Sequence, residues 1–292
     1  MFSGSLVALV TPMRADGALD VAAWSRLLEL HASGGTSGIV IGGTTGESAT
    51  LTDADLAMLV GRACDQLGTR MPVIAGAGTS STAATVERVR WLGELPVSAL
   101  LIVTPAYNRP TQEGLFRHFE AVARASRVPV LLYNVPSRTA VDMLPATVSR
   151  VAQLANVAGV KEAVAQMDRV RELVASVPGT FTVLSGDDAT AREAVRAGAR
   201  GVISVTANCV PRAMSEMIAA ALAGRMVDAE RLDARLAALH RDLFLEPNPI
   251  PVKWALQRMG LAEGGIRLPL THLSAEHVPA LEAALRTAGA LN

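Results

Sequence analysis

Eight short runs rich in Val, Ile and Leu alternate along the chain with stretches of helical periodicity. Because each run is continuously apolar, it is typical of a parallel strand covered on both faces. Eight strand and helix units in succession predict an α/β fold, a (β/α)8 TIM barrel. The eight predicted strands run from Leu6 to Val10, Gly38 to Gly42, Pro72 to Gly76, Ala99 to Thr104, Pro129 to Asn134, Val157 to Lys161, Phe181 to Ser185 and Gly201 to Val205.

Helices are predicted between these runs. Thr52 followed by Asp55 forms a capping-box pattern at the start of the second helix. Residues 225 to 292 show helical spacing without strand-like runs, which predicts a barrel over 1–224 and a C-terminal helical extension over 225–292. The eight predicted barrel helices span about 20–33, 52–67, 80–94, 112–126, 144–155, 165–176, 187–198 and 211–223.

Composition narrows the class of protein. Of 292 residues 50% are hydrophobic, which is enough for a sizeable core, and 27 basic residues balance 27 acidic ones. No basic cluster is interleaved with aromatics, so neither nucleic acid nor a membrane surface is expected as a partner. The widely spaced Cys64 and Cys209 and the five dispersed histidines indicate no disulfide framework and no metal site, and no cofactor is expected. With no signal-peptide pattern at the N-terminus, a cytoplasmic protein is expected.

Lys161 is the most informative single residue. The chain contains 25 arginines but only two lysines, Lys161 and Lys253. Guanidinium stays protonated, whereas a desolvated amine can lose its proton and attack a carbonyl. Lys161 ends the sixth predicted strand, at the face where barrel enzymes carry their reacting groups. The alternative is a lysine that pairs with Glu162, but alternation along a strand places these two neighbours on opposite faces. Lys253, next to a proline-fixed helix start, is interpreted as structural.

Three further features fall at the carboxyl ends of predicted strands. The turn Gly42-Gly43-Thr44-Thr45-Gly46-Glu47 could bind an anion through its backbone N–H groups, although taken alone it favours an ordinary strand-to-helix turn. Tyr107 and Tyr133, the only tyrosines, each precede an asparagine, and a phenol near an imine-forming lysine can shuttle protons. Arg138 could bind a carboxylate with its planar fork, or be a plain surface arginine. Asp187 and Asp188 are interpreted as helix caps.

Five short motifs are spread along the chain in a fixed order. They are Gly43-Thr44-Thr45-Gly46-Glu47, Tyr107-Asn108-Arg109-Pro110, Tyr133-Asn134-Val135-Pro136-Ser137-Arg138-Thr139, Gly159-Val160-Lys161-Glu162-Ala163 and Ser185-Gly186-Asp187-Asp188. Together with Asn248-Pro249-Ile250-Pro251-Val252-Lys253, they resemble the motifs of the dihydrodipicolinate synthase (4-hydroxy-tetrahydrodipicolinate synthase) family over the whole chain.

This resemblance implies a Schiff-base lyase of the class I aldolase type. Such an enzyme condenses pyruvate with L-aspartate 4-semialdehyde in the first committed step of diaminopimelate and lysine biosynthesis. Lys161 matches the imine-forming lysine. The remaining positions carry three implied roles: Thr44, Tyr107 and Tyr133 match the proton relay, Thr45 and Arg138 would hold the two substrate carboxylates, and Gly186 and Ile203 would approach the substrate through their backbones.

The resemblance also implies a homo-oligomer, a dimer of dimers, in which Tyr107 crosses the tight dimer into the partner's site. One departure concerns the cleft where lysine-inhibited members bind lysine with His, Asn, Glu and Tyr side chains. Ser48 and Ala49 match that cleft, but the other positions hold Asp53, Leu56, Ser80, Ala84 and Ala106. We therefore expect little or no inhibition by lysine, because several hydrogen bonds of ~1 to 3 kcal/mol each would be missing.

Two alternative functions remain open at this stage. Another pyruvate-dependent aldolase, such as an N-acetylneuraminate lyase or a keto-sugar-acid aldolase, would share the lysine and the tyrosine but generally lacks the arginine corresponding to Arg138. A barrel that binds a metabolite without catalysis would need no imine-forming amine, so Lys161, Tyr133 and Thr44 together count against it.

Overall fold

The strands of the computed structural model, which describes residues 2–291, close into a barrel in chain order. Each strand pairs in parallel with the next, and β8 pairs with β1. The predicted (β/α)8 barrel is confirmed. The strands are β1 (Gly4–Ala8), β2 (Gly38–Ile41), β3 (Val73–Gly76), β4 (Ala99–Val103), β5 (Val130–Asn134), β6 (Val157–Glu162), β7 (Thr182–Ser185) and β8 (Gly201–Ser204).

Helices follow the strands and then continue past the barrel. The predicted capping box is present in α2, where Thr52 and Asp55 exchange side-chain and backbone hydrogen bonds. The barrel helices are α1 (Val21–Ser33), α2 (Asp53–Leu67), α3 (Thr82–Leu92), α4 (Gln112–Ala125), α5 (Pro136–Thr139), α6 (Pro145–Val151), α7 (Met167–Ser176), α8 (Ala191–Arg196) and α9 (Pro211–Leu222). The C-terminal helices are α10 (Met226–Asp242), α11 (Ile250–Arg258) and α12 (Val278–Thr287).

Apolar side chains pack in two layers. A small cluster fills the barrel interior with alternate residues of the strands, and a larger one lies between the strands and the helices. This arrangement explains the continuous apolar runs, because both faces of each strand are covered. The interior cluster contains Leu6, Ala8, Val40, Ile74, Ala99, Leu101, Leu131, Tyr133, Val135, Leu184 and Ile203.

The predicted boundaries were wrong at a few places. β1 begins two residues earlier than the predicted start at Leu6 and ends at Ala8, although Leu9 and Val10 are also buried. The Leu9 N–H still donates to the Val40 carbonyl of β2, whereas the Val10 N–H donates to the Asn208 side chain, so at Val10 the apolar character reflects burial rather than strand pairing. The one-turn helix α5 was not predicted, and α8 is shorter than its expected span. None of the helices described within residues 2–291 is long and apolar enough to cross a membrane.

Candidate active site

Lys161 lies at the carboxyl end of β6 with its side chain directed into the barrel. The pairing register places it beside Tyr133 of β5 and Leu184 of β7, both members of the interior cluster. Only 6% of Lys161 is exposed, and its Nζ lies 4.4 Å from the centre of the Tyr133 ring. The amine therefore lies against an apolar and aromatic surface inside the barrel.

Glu162 faces the opposite side of β6, as strand alternation predicts. Its fully buried carboxylate accepts hydrogen bonds from the Asn134 amide, at 3.0 and 3.2 Å, and from Arg169 Nε, at 3.2 Å. Burial raises the pKa of Glu162, and Arg169 opposes that shift. Within residues 2–291, Lys161 forms no ion pair, with Glu162 or any other carboxylate. The alternative in which the two residues pair is wrong.

A missing side chain at Gly186 leaves room beside the amine. A Cβ at this position would lie 3.0 Å from Lys161 Cε and 2.9 Å from Ala163 Cβ, both tighter than ordinary contacts. The Gly186 N–H is fixed by a 2.7 Å hydrogen bond to the Glu162 carbonyl. Ile203, on β8, is 1% exposed and belongs to the interior cluster. Both residues therefore line the barrel end that holds Lys161.

The glycine and threonine turn after β2 forms a second wall. Thr44 to Gly46 make one 3-10 turn, preceded by Gly42 at φ +65° and followed by Glu47 at φ +58°. Thr44 and Tyr133 line one cavity, together with Leu101 and Val103 of β4. This brings two of the three predicted relay hydroxyls to the same cavity.

Thr45 is buried, and its Oγ1 accepts a 2.9 Å hydrogen bond from the Asn248 amide. Asn248 lies just before α11, far from Thr45 in sequence, and its carbonyl also accepts a 3.3 Å hydrogen bond from Arg138 Nη2. Arg138 itself is exposed on the one-turn helix α5. Asn248 was not singled out as a site residue, and its only sequence signal was its place in the motif that ends at Lys253.

Tyr107 stands apart from the other predicted groups. Its exposed fraction is 94%, its φ is +73°, and it does not line the cavity that contains Thr44 and Tyr133. Its phenol is thus presented to solvent by the loop after β4. In an isolated chain the three predicted relay hydroxyls are not all brought together.

The two aspartates after β7 do not form a catalytic pair. Asp187 accepts hydrogen bonds from the backbone and hydroxyl of Thr190, which immediately precedes α8. Asp188 accepts instead from the backbone N–H groups of Val205 and Thr206, so it anchors the end of β8 and is not a cap of α8. No group of three potential metal ligands occurs among residues 2–291.

Comparisons with known proteins agree along the full chain. Residues 1–288 match the model of the dihydrodipicolinate synthetase family. The 4-hydroxy-tetrahydrodipicolinate synthases of Methylococcus capsulatus and Stutzerimonas stutzeri are each 52% identical over 291 residues, with the whole of both chains covered in each comparison.

Solved structures give the same result. A chloride-inhibited dihydrodipicolinate synthase from Acinetobacter baumannii, complexed with pyruvate, is 45% identical, with a TM-score of 0.98 and full coverage of both chains. The synthase of Cyanidioschyzon merolae, with lysine bound, is 34% identical over 99% of each chain, with a TM-score of 0.96. Identity at this level over the full length makes the chain an enzyme of the lyase class, and it belongs to the dihydrodipicolinate synthetase family.

Proposed function

We propose that this enzyme condenses pyruvate with L-aspartate 4-semialdehyde through an imine on Lys161. The observation that carries the proposal is the placement of Lys161, which is buried at the carboxyl end of β6, has no carboxylate partner among residues 2–291, and has an aromatic ring 4.4 Å from its amine. A structural lysine at this depth would need an ion pair, because an unpaired buried charge is costly. A nucleophilic amine, in contrast, must be free of a carboxylate that would hold it in the protonated form.

The proposed reaction proceeds in three stages. The Lys161 amine attacks the pyruvate ketone, and the carbinolamine loses water to give an imine. The imine loses a proton from the former methyl group, and the resulting enamine carbon forms a bond to the aldehyde carbon of the semialdehyde, whose oxygen takes up a proton. The amino group of the condensed product then attacks the imine carbon, which closes the ring and releases Lys161 as a free amine.

Proton transfers at these stages are assigned to the hydroxyl relay. Tyr133 lies beside Lys161 in the pairing register, and Thr44 lines the same cavity as Tyr133. A positioned phenol can deliver the proton that leaves with water and accept it again later. The third hydroxyl, from Tyr107, is supplied in this proposal by a second copy of the chain, because its own copy presents it to solvent.

The two substrate carboxylates are assigned to separate anchors. Thr45 would donate its hydroxyl to the pyruvate carboxylate within the barrel mouth. Arg138, exposed and restrained at the Asn248 carbonyl, would bind the semialdehyde carboxylate with its free N–H groups. An arginine anchor distinguishes this reaction from that of an N-acetylneuraminate lyase or a keto-sugar-acid aldolase. Gly186 and Ile203 would face the bound substrate through their backbones.

We propose further that free lysine inhibits this enzyme weakly or not at all. Leu56 fills the space beside the turn, since a Cβ on Gly42 would lie 2.6 Å from its Cδ1. The one acid among the altered positions, Asp53, already pairs with Arg88 at 2.7 Å. Leu56 carries no carboxylate, and the charge of Asp53 is already balanced by Arg88. Rate measurements with millimolar lysine should show little change, and strong inhibition would contradict the proposal.

The cleft's remaining altered positions, Ser80, Ala84 and Ala106, offer no acid either.

A cytoplasmic location is proposed with the same reaction, because a reducing compartment keeps the free thiols Cys64 and Cys209 unpaired, as they are here.

The central test of the imine mechanism is simplified by the presence of only two lysines in the sequence. Treatment with pyruvate and borohydride should leave a reduced pyruvyl group on Lys161, detectable by mass spectrometry, while Lys253 on the same chain serves as an internal control amine. A Lys161→Met variant should show no adduct. If the unmodified chain gives no adduct at Lys161, the mechanism is wrong. Turnover with the semialdehyde but not with N-acetylated sugars or other sugar aldehydes as second substrate should then separate the synthase from the other aldolases.

A further inference from the structure

The second lysine of the chain is as buried as the first. Lys253 is 3% exposed on α11, and its ammonium donates to the Glu47 carboxylate, whose side chain is 1% exposed. Burial lowers the pKa of Lys253, and Glu47 opposes that shift. The charges therefore meet away from water, in a contact between the C-terminal helices and the barrel.

Glu47 closes the turn that carries Thr44 and Thr45. It adopts the left-handed conformation, with φ +58°, and its N–H donates to the Thr44 carbonyl at 3.1 Å. Its second carboxylate oxygen accepts a 3.0 Å hydrogen bond from the Arg267 N–H. A non-glycine residue persists in this conformation only when its surroundings hold it there. The buried carboxylate, tied to α11 on one oxygen and to Arg267 on the other, is such a restraint.

The same C-terminal segment reaches Thr45 directly. Asn248, five residues before Lys253, donates its amide to Thr45 Oγ1 at 2.9 Å. Because the threonine oxygen accepts this bond, its own proton is free to be donated into the site. The Thr45 hydroxyl is thus held by a segment outside the barrel strands, and the Lys253–Glu47 ion pair joins that segment to the same turn.

We propose that Lys253 and Glu47 are positioning residues for pyruvate binding, which they support by fixing the turn that presents Thr45. The inference rests on the proposed function, in which Thr45 binds the pyruvate carboxylate. Fold stability alone gives little reason for such a pair, because apolar residues of similar volume often replace a buried ion pair without loss of stability. Apolar residues, however, cannot form a directional hydrogen bond to the turn.

The geometry also accounts for a lysine in an arginine-rich chain. Glu47 offers Lys253 a single oxygen, because the other already accepts from Arg267. A compact ammonium suits this one-point contact, whereas the planar guanidinium fork is suited to both oxygens. Lys253→Arg should therefore fail to restore pyruvate binding fully, although it keeps the charge.

Borohydride trapping at varied pyruvate concentration tests the proposal in the full-length enzyme. Lys253→Met and Glu47→Gln should each raise the pyruvate concentration that gives half-maximal adduct on Lys161 by about tenfold or more, as expected when an anchoring group is displaced by about 1 Å. The maximal adduct should remain, because Lys161 is unchanged.

A matched control separates positioning from general destabilisation. Leu281→Ala removes a fully buried side chain from α12, which belongs to the same C-terminal region. It should lower the melting temperature and leave half-saturating pyruvate unchanged. If Lys253→Met does not fold, the half-saturating pyruvate concentration of the near-isosteric Glu47→Gln variant tests the proposal instead. Asn248→Ala, which leaves the ion pair in place, should show the same rise.

The outcomes are distinct. Half-saturation within about twofold of the unmodified enzyme in the folded Lys253 and Glu47 variants, with only a loss of stability as in Leu281→Ala, would overturn the positioning role. Absence of any adduct in the unmodified enzyme would instead overturn the imine mechanism. A selective rise in half-saturating pyruvate supports the proposal.

Discussion

Replacing Arg169 by methionine tests the network behind the catalytic lysine. Arg169 of α7 donates to the Glu162 carboxylate at 3.2 Å, to Asp142 at 2.9 and 2.7 Å, and to the Met143 carbonyl at 2.7 Å. Its side chain is 10% exposed, and that of Glu162 is fully buried. The variant would leave the charge of Glu162 without a cationic partner.

The expected cost follows from these contacts. Removal of one partner of a buried ion pair costs about 3 to 5 kcal/mol in unfolding free energy. Asp142 contributes the smaller share, because its side chain is 36% exposed and water can replace the lost contact. Burial acts on the Asp142 pKa in the upward direction, but hydrogen bonds from Arg169 and Asn134 outweigh it, so that its pKa is lowered. We therefore assign most of the loss to Glu162.

The pH dependence gives the sign of the effect. The pKa of Glu162 is already raised from its ordinary value of 4.5 by burial, and loss of Arg169 should raise it further. The folded variant then binds a proton that the unfolded chain releases, so its stability falls as pH rises through the interval between the two pKa values. The destabilisation by Arg169→Met should therefore be larger at neutral pH than at a pH near the ordinary pKa of 4.5.

Urea unfolding at one protein concentration and two pH values measures this difference. The matched control is Arg171→Met on the same helix, whose partner Asp168 is 98% exposed and whose loss should change stability little. The reasoning is refuted if both variants lose similar, small amounts of stability, or if the loss in Arg169→Met is the same at both pH values.

Two further predictions address the site and the core. Gly186→Ala would place a Cβ 3.0 Å from Lys161 Cε and should slow adduct formation on Lys161 by about tenfold or more. The control is Gly179→Ala, whose added Cβ has no atom within 4 Å and should leave the rate unchanged. Equal trapping rates in the two variants would contradict this prediction. Burial lowers the pKa of His31 to about 4, below its ordinary 6.5, so the unfolded state binds the extra proton and stability falls as pH decreases between these values, by up to about 3 kcal/mol from this residue. Urea titrations should show a flatter decline in His31→Gln, and an unchanged slope would refute the assignment.

Most of the fold was predictable because strand burial leaves a direct trace in sequence. All eight apolar runs correspond to strands, since each is covered by the interior cluster on one face and by helices on the other. Alternation along β6 also predicted that Lys161 and Glu162 lie on opposite faces, as they do. Strand ends were less predictable, as Val10 shows, because apolar character indicates burial and not pairing.

The contacts between distant segments were not predictable from periodicity. Asn248 and Thr45 are brought together only when the C-terminal helices dock on the barrel. Lys253 was interpreted as structural from its proline context, but its partner, Glu47, carried no local signal beyond its place at the end of a glycine turn. Side-chain exposure was equally hidden, because nothing in the residues around Tyr107 distinguishes a ring in a cavity from one in solvent.

Tyr107 gives the sharpest test of a shared active site. A tyrosine that is 94% exposed and held at φ +73° gains little burial in its own chain, while its left-handed backbone costs on the order of 1 to 3 kcal/mol. In the proposed dimer, contact with the partner offsets that cost. Tyr107→Phe should lower turnover by roughly 10²- to 10⁴-fold, the range for a lost proton-transfer group.

Mixing that variant with Lys161→Met then separates the two arrangements. If Tyr107 serves the partner's lysine, a mixed dimer contains one site with both native residues. Subunit exchange at equal amounts should then restore about a quarter of the native activity, because half of the dimers are mixed and each has one complete site of two. If Tyr107 serves its own chain, no site in a mixed dimer is complete and activity stays at the level of the separate variants. Recovery therefore requires a tyrosine that crosses the interface, and its absence after confirmed subunit exchange would refute the shared site.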